Sequence, residues 1–249
     1  MNGELGQIPQ LKRPGTREMF RVAPLTTEEL LGEGEQALPT GFMPLDDVLG
    51  GGWPRSFVTE LVGHPASGKT QLCCKAAVRA AAAGGSVVFI QTTGARVANR
   101  LQQLASQDFP EADQSLVLAN VQCYHTCDLE ELTATLSYVK DTIRDAGQLS
   151  LLVVDSFGEL VSPELSGKFD SPEFEAAFGR AMHASGLLRS IAIQTGASIL
   201  ITNTTVSHGS AASLLEPTRQ QPGGDPIALE VLPAQPLRKH PMAVDARIF

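Results

Sequence analysis

The stretch Gly63-His64-Pro65-Ala66-Ser67-Gly68-Lys69-Thr70 constrains the fold most, because of what stands on either side of it. Before it runs Phe57 to Val62, FVTELV, with strand chemistry; after it, Thr70 to Ala83 is alanine-rich and helix-prone. Gly84-Gly85 then ends that helix. A strand that turns through glycines straight into a helix aims the positive end of the helix dipole at whatever the loop encloses, and an anion is the natural occupant. Gly63 and Gly68 let the backbone curl so that successive N–H groups face inward, Lys69 reaches terminal phosphates, and Thr70 offers a hydroxyl to Mg²⁺. The alternative is a glycine-rich turn whose lysine is simply solvated.

The rest of the chain continues the alternation. Ser86 to Gln91, SVVFIQ, reads as a buried strand, Val97 to Gln107 as a helix and Val121 to His125 as a further strand. Asp128 is a capping side chain with Glu131 three residues on, and Leu132, Leu136, Val139 and Ile143 follow at helical spacing. Leu149 to Asp155, LSLLVVD, is aliphatic on both faces and too short for a core helix, as a central parallel strand should be. Residues 173 to 195 form another helix and Ala197 to Thr202, ASILIT, another strand. Such alternation with crossover-length helices implies an α/β fold, a mostly parallel sheet covered on both faces. At the C-terminal end of its strand, Asp155 lies beside the first strand-helix loop and is the expected protein partner of Mg²⁺. An acidic N-cap is its other reading.

With 249 residues the chain suits one α/β domain with appendages. Residues 1–37, broken by prolines and acidic from Glu28 to Glu35, read as a leader; 38–206 form the core. Residues 207–249 form an irregular tail, in which only Ile227 to Leu232 has strand chemistry. A net charge of −8 argues against whole-surface attraction to nucleic acid or anionic lipid. No run approaches the ~18 apolar residues of a membrane span, and Met1 to Arg21 does not resemble a signal peptide. The four cysteines, Cys73, Cys74, Cys123 and Cys127, form no C-x-x-C doublet and suit an intracellular protein with reduced thiols. Cys123, His125 and Cys127 are read as structural rather than as a metal site.

A longer pattern is more specific than the loop. Leu38-Pro-Thr-Gly-Phe-Met-Pro-Leu-Asp-Asp-Val-Leu-Gly-Gly-Gly52 resembles the approach to the loop in RecA-family recombinases and their eukaryotic paralogues, and Gly68-Lys-Thr-Gln71 completes it. Val153 to Gly167, VVDSFGELVSPELSG, looks like the corresponding segment of the D-type recombinase paralogue, and Ile201-Thr-Asn203 resembles that family's later strand end. The resemblance, over residues 38–206, implies a RecA-like core whose C-terminal part is incomplete, since 214–249 match nothing in it. It also implies ATP and Mg²⁺ as cofactors, held by Gly63 to Gln71 and Asp155. Further implications are hetero-oligomeric complexes with other recombinase paralogues, single-stranded DNA as a partner, a role in DNA strand exchange during repair, and a nuclear location.

Departures from the family pattern matter as much. ATP-cutting relatives end the strand after the first helix with a glutamate that orients the attacking water; in Phe89-Ile90-Gln91-Thr92-Thr93-Gly94, Thr93 takes its place. A hydroxyl of ordinary acidity does not accept a proton from water as a carboxylate does. Lys69 remains the candidate for catalytic contact, so binding with weak hydrolysis is expected. Thr204 stands where recombinases usually carry a glutamine after the asparagine that senses the terminal phosphate. Two other readings remain: a DNA-dependent ATPase completed by a neighbouring subunit, and a RecA-like ATPase unrelated to DNA.

Weaker signals are Phe20-Arg-Val-Ala23, which matches the F-x-x-A docking pattern of recombinases, and its repeats at Phe174 to Ala177 and Phe178 to Ala181 inside a helix. Lys168, Arg180, Arg189 and His208 are candidate phosphate contacts, with no interleaved aromatic residue for base stacking.

Overall fold

The computed structural model describes residues 37–94, 97–146, 149–164, 171–204 and 246–248. The leader with Phe20, most of the tail with Ile227 to Leu232, and Lys168 and His208 lie outside the described residues. The elements in chain order are α1 (Met43–Leu49), β1 (Val58–Gly63), α2 (Lys69–Ala82), β2 (Ser86–Gln91), α3 (Val97–Asp108), α4 (Gln114–Ala119) and β3 (Val121–His125). There follow α5 (Leu129–Ala146), β4 (Leu149–Asp155), α6 (Phe157–Glu164), α7 (Pro172–Thr195), β5 (Ser198–Thr204) and β6 (Ala246–Ile248).

All six strands join one sheet in the order β3-β2-β4-β5-β1-β6, every neighbouring pair parallel. The fold is α/β, as the alternation implied. Strand side chains alternate between two cores. Val87 and Phe89, Leu151 and Val153, and Leu200 pack with α2 and α3, whereas Val88 and Ile90, Leu152 and Val154, and Ile199 and Ile201 pack with α5 and α7. Phe89 is wholly buried, a burial of roughly 1.5–3 kcal/mol. Unbroken aliphatic strands were therefore the right signal: both faces are covered.

Local chemistry sets the helix ends. The Asp128 carboxylate accepts from Glu131 N at 2.8 Å, and the Glu131 carboxylate reaches back to Cys127 N at 2.7 Å, a reciprocal cap at the start of α5. Ser171 caps α7 by accepting from Phe174 N at 3.2 Å, ahead of Pro172 in the first turn. Before β1, Leu38 and Trp53 form an antiparallel bridge, and Thr40 N donates to the Asp46 carboxylate at 2.7 Å. The Thr-Gly and Leu-Asp pairs of that approach thus fold into a clasp over buried Leu45 and Trp53.

Three helices go beyond the sequence reading: α1 (Met43–Leu49), α4 (Gln114–Ala119) and α6 (Phe157–Glu164), each eight residues or shorter and so nearly without periodicity. The tail also returns to the core. Residues Thr59 to Leu61 of β1 pair with Ala246 to Ile248, so part of the tail adds strand β6 beside β1. Three residues are too few to announce a strand. In α7, Ala177 and Ala181 are buried and the Phe174 and Phe178 rings stack at 6.3 Å, so those two F-x-x-A matches follow helix packing. Among the described residues no helix is long and apolar enough to cross a membrane, and no cluster of three metal-binding side chains occurs.

Candidate functional site

Parallel strands carry their C-terminal ends to the same edge of the sheet, and a cleft of about 500 Å³ opens there. Its lining brings Pro65, Ala66, Lys69 and Thr70 from the loop and start of α2 together with Thr93 after β2 and Asp155 at the end of β4. Asn203 and Thr204 close it from β5. Lys69 and Asp155, eighty-odd residues apart in sequence, therefore face one space.

The loop is shaped by its backbone. Gly68 caps α2 with φ at 99°, a left-handed conformation that any side chain would strain, and Ala66 is held at 62°. Alternating backbone of this kind builds the concave nest in which anions sit. Lys69 Nζ donates to the carbonyls of Gly63 at 2.8 Å and His64 at 2.9 Å, which holds the ammonium over its own loop. Ser67 N bonds back to His64 O at 3.2 Å. Gln71 faces elsewhere and accepts from Arg100 of α3.

Thr70 and Asp155 meet directly: the Thr70 hydroxyl donates to Asp155 Oδ2 at 2.7 Å. The Thr202 hydroxyl donates to the other carboxylate oxygen. An oxygen-only pair with one carboxylate fits Mg²⁺, which keeps most of its waters and phosphate ligands and asks little of the protein. It does not fit a transition metal, which prefers nitrogen or sulfur donors.

The strand ends are laced together. Thr92 N donates to Asp155 O at 2.9 Å, and the Thr92 hydroxyl bonds both the amide and the carbonyl of Ser156, at 2.9 and 3.1 Å. The Asp155–Ser156 peptide is cis. Asn203 Nδ2 donates to the buried Glu60 at 3.0 Å, and its carbonyl oxygen accepts from Thr204 N at 2.8 Å.

Thr93 lies in the cleft. The cleft also holds residues to which sequence reasoning gave no role: Ser156, Gly158, Glu159 and Thr202. Ser156, Gly158 and Glu159 follow the aliphatic β4, and Thr202 lies within β5. Cys123 and Cys127 are exposed, and Cys127 Sγ stands 3.7 Å from His125 Nδ1. Beneath the loop, burial foremost and then the Asp155 charge push the Cys74 thiol up to about 12, and Cys73 is raised for the same leading reasons. Those thiols are inert packing.

Comparison with known proteins places these features in a family. The Rad51 family model matches residues 36–239, so the match runs past residue 206, where the resemblance read from the sequence stops, and into the stretch from 214 that was expected to match nothing. The chain is 30% identical over 196 residues to mouse DNA repair protein RAD51 homolog 4, covering 74% of this chain and 57% of that protein. It is 30% identical over 188 residues to mouse DNA repair protein RAD51 homolog 2, covering 70% and 53%. With the DNA repair and recombination protein RadB of Halobacterium salinarum it shares 40% identity over 126 residues, half of each chain. The chain spans about half the length of the curated relatives it matches.

Proposed function

The chain belongs to the Rad51 family, and on that premise we propose that it is a recombinase paralogue that binds ATP with Mg²⁺ and assists homologous-recombination repair in a hetero-oligomer. The observation that carries this reading is the cleft shared by Lys69, Thr70 and Asp155, with the Thr70 hydroxyl 2.7 Å from the Asp155 carboxylate. Lys69 and the amides of the Gly63 to Thr70 loop hold the phosphates, while Thr70 and Asp155 hold the hydrated metal. Held by Thr70 and Asp155, Mg²⁺ would supply neutralisation of phosphate charge. The partners are other recombinase paralogues, single-stranded DNA is the substrate surface, and the place of action is the nucleus.

Thr93 makes turnover weak. A missing general base typically removes about 10²–10⁴-fold in rate and leaves ground-state contacts in place. ATP thus serves as a bound element that organises an interface. Equilibrium binding of a fluorescent ATP analogue with and without Mg²⁺, beside phosphate release with and without single-stranded DNA, tests the reading. Micromolar-range binding and slow release are expected; absence of ATP binding overturns it.

A further inference from the structure

The cleft lacks a glutamate at Thr93 but contains two carboxylates, Asp155 and Glu159. Their situations differ. Both oxygens of Asp155 are engaged, by the hydroxyls of Thr70 and Thr202, so that carboxylate is committed to the metal side. Glu159 stands in the first turn of α6, exposed along the cleft wall with Thr93, Ser156 and Thr204.

Glu159 and Thr93 line the same cleft. β2 and β4 are neighbouring parallel strands with Gln91 opposite Asp155, so the segments carrying Thr93 and Glu159 leave the sheet side by side. The bonds of Thr92 to Asp155 and Ser156 tie those two exits together. On the other flank, Gly158 lies directly against Asn203: a Cβ at 158 would overlap the Asn203 side-chain amide. Glycine at 158 lets α6 approach β5 closely, and the next residue is thereby held in the cleft wall.

We propose that Glu159 is the general base for the slow ATP hydrolysis of this chain, in place of the glutamate that Thr93 replaces. The proposal rests on the nucleotide reading above. In the step, the Glu159 carboxylate takes a proton from water while the water oxygen bonds to the terminal phosphorus. The bond from that phosphorus to the bridging oxygen breaks, and its electron pair leaves with the diphosphate beside Lys69. The proton then passes to the released phosphate or to solvent, and nothing is oxidised or reduced. A carboxylate so placed also repels the terminal phosphate, which weakens the preference for a triphosphate over a diphosphate.

The test uses the full chain with Mg²⁺, comparing wild type, Glu159→Gln, Glu159→Asp, and Glu159→Gln combined with Thr93→Glu. Affinities for fluorescent ATP and ADP analogues are read separately from single-turnover phosphate release. Glu159→Gln is expected to slow release by at least about tenfold and to tighten ATP about threefold without changing ADP. Glu159→Asp keeps part of the rate, and the double variant regains it through a carboxylate on the neighbouring strand exit. Release from Glu159→Gln equal to wild type overturns the proposal, as does a wild type that binds ATP yet releases no phosphate with or without single-stranded DNA. A wild type that binds no ATP instead overturns the nucleotide reading itself.

Discussion

The two walls of the cleft are built in opposite ways. The loop wall comes from one short stretch: Pro65, Ala66, Lys69 and Thr70 line it, and Lys69 is held by carbonyls within six residues of itself. The strand-end wall is assembled from Thr93, Ser156, Glu159 and Thr202 to Thr204, which three strands bring together only through their register. A contiguous wall keeps its geometry as long as its own few residues are kept. A register-built wall keeps its shape while single side chains on it change, because the backbone pairing does not depend on them. On the proposed reading the first wall carries the groups that hold a phosphate, and the second carries Thr93 and Glu159. On that same reading, holding a nucleotide and cutting it are separable tasks of the two walls.

The largest effect should come from the loop wall. Lys69→Ala removes a charged donor and is expected to weaken ATP by about 1.5–3 kcal/mol, roughly ten- to hundredfold, without lowering Tm. Titration of a fluorescent ATP analogue and a thermal melt check it. Unchanged ATP affinity would break the comparison at its root, since the contiguous wall would then hold nothing.

Gly158→Ala probes the other wall. The new methyl meets Asn203, and overpacking of this kind costs about 1–3 kcal/mol. The thermal midpoint should fall by a few degrees, with ATP affinity moved less than by Lys69→Ala. A variant as stable as wild type would show that α6 and β5 separate freely.

Thr93→Glu adds a second acid to the strand-end wall, which already carries Glu159. Turnover with Mg²⁺ is expected to rise about tenfold, some 1.4 kcal/mol in barrier, at constant ATP affinity. A fall in affinity with no gain in rate would mean that the two walls are coupled.

The same contrast explains what could be read in advance. The loop, the aliphatic strands β2 and β4 and the capped α5 announce themselves because their signals are local: glycines at fixed offsets, period-free Val-Ile-Leu runs, an Asp with a Glu three residues on. Lys69, Thr70 and Asp155 were legible for that reason, and Thr93 through the family pattern. Glu159 and Thr202 were not, because only the pairing of Gln91 with Asp155 and of Leu61 with Thr202 brings them to the cleft. β6 was hidden by its length: three residues carry no period, and its partner strand lies far upstream. Gln71, included with the Gly68-Lys-Thr-Gln71 pattern, accepts a hydrogen bond from Arg100.

The smallest effect concerns what lies under the loop wall. Cys73 and Cys74 sit in α2, one turn past Lys69, fully packed, while Cys123 and Cys127 are exposed at the far edge of the sheet. Burial, followed by the Asp155 charge, raises Cys74 from 9.0 to about 12, so its folded form stays protonated where the unfolded chain would ionise. A raised folded pKa contributes stability that is complete below pH 9 and is lost as pH climbs toward 12. Urea midpoints should therefore decline from pH 8 to pH 10.5 more steeply for wild type than for Cys74→Ala. In the folded protein at pH 8, iodoacetamide should label Cys123 and Cys127, spare Cys73 and Cys74, and leave ATP affinity unchanged. Prompt labelling of Cys74 would mean that α2 opens beneath the loop, and a wall that opens so readily could not hold its geometry independently of the strand ends.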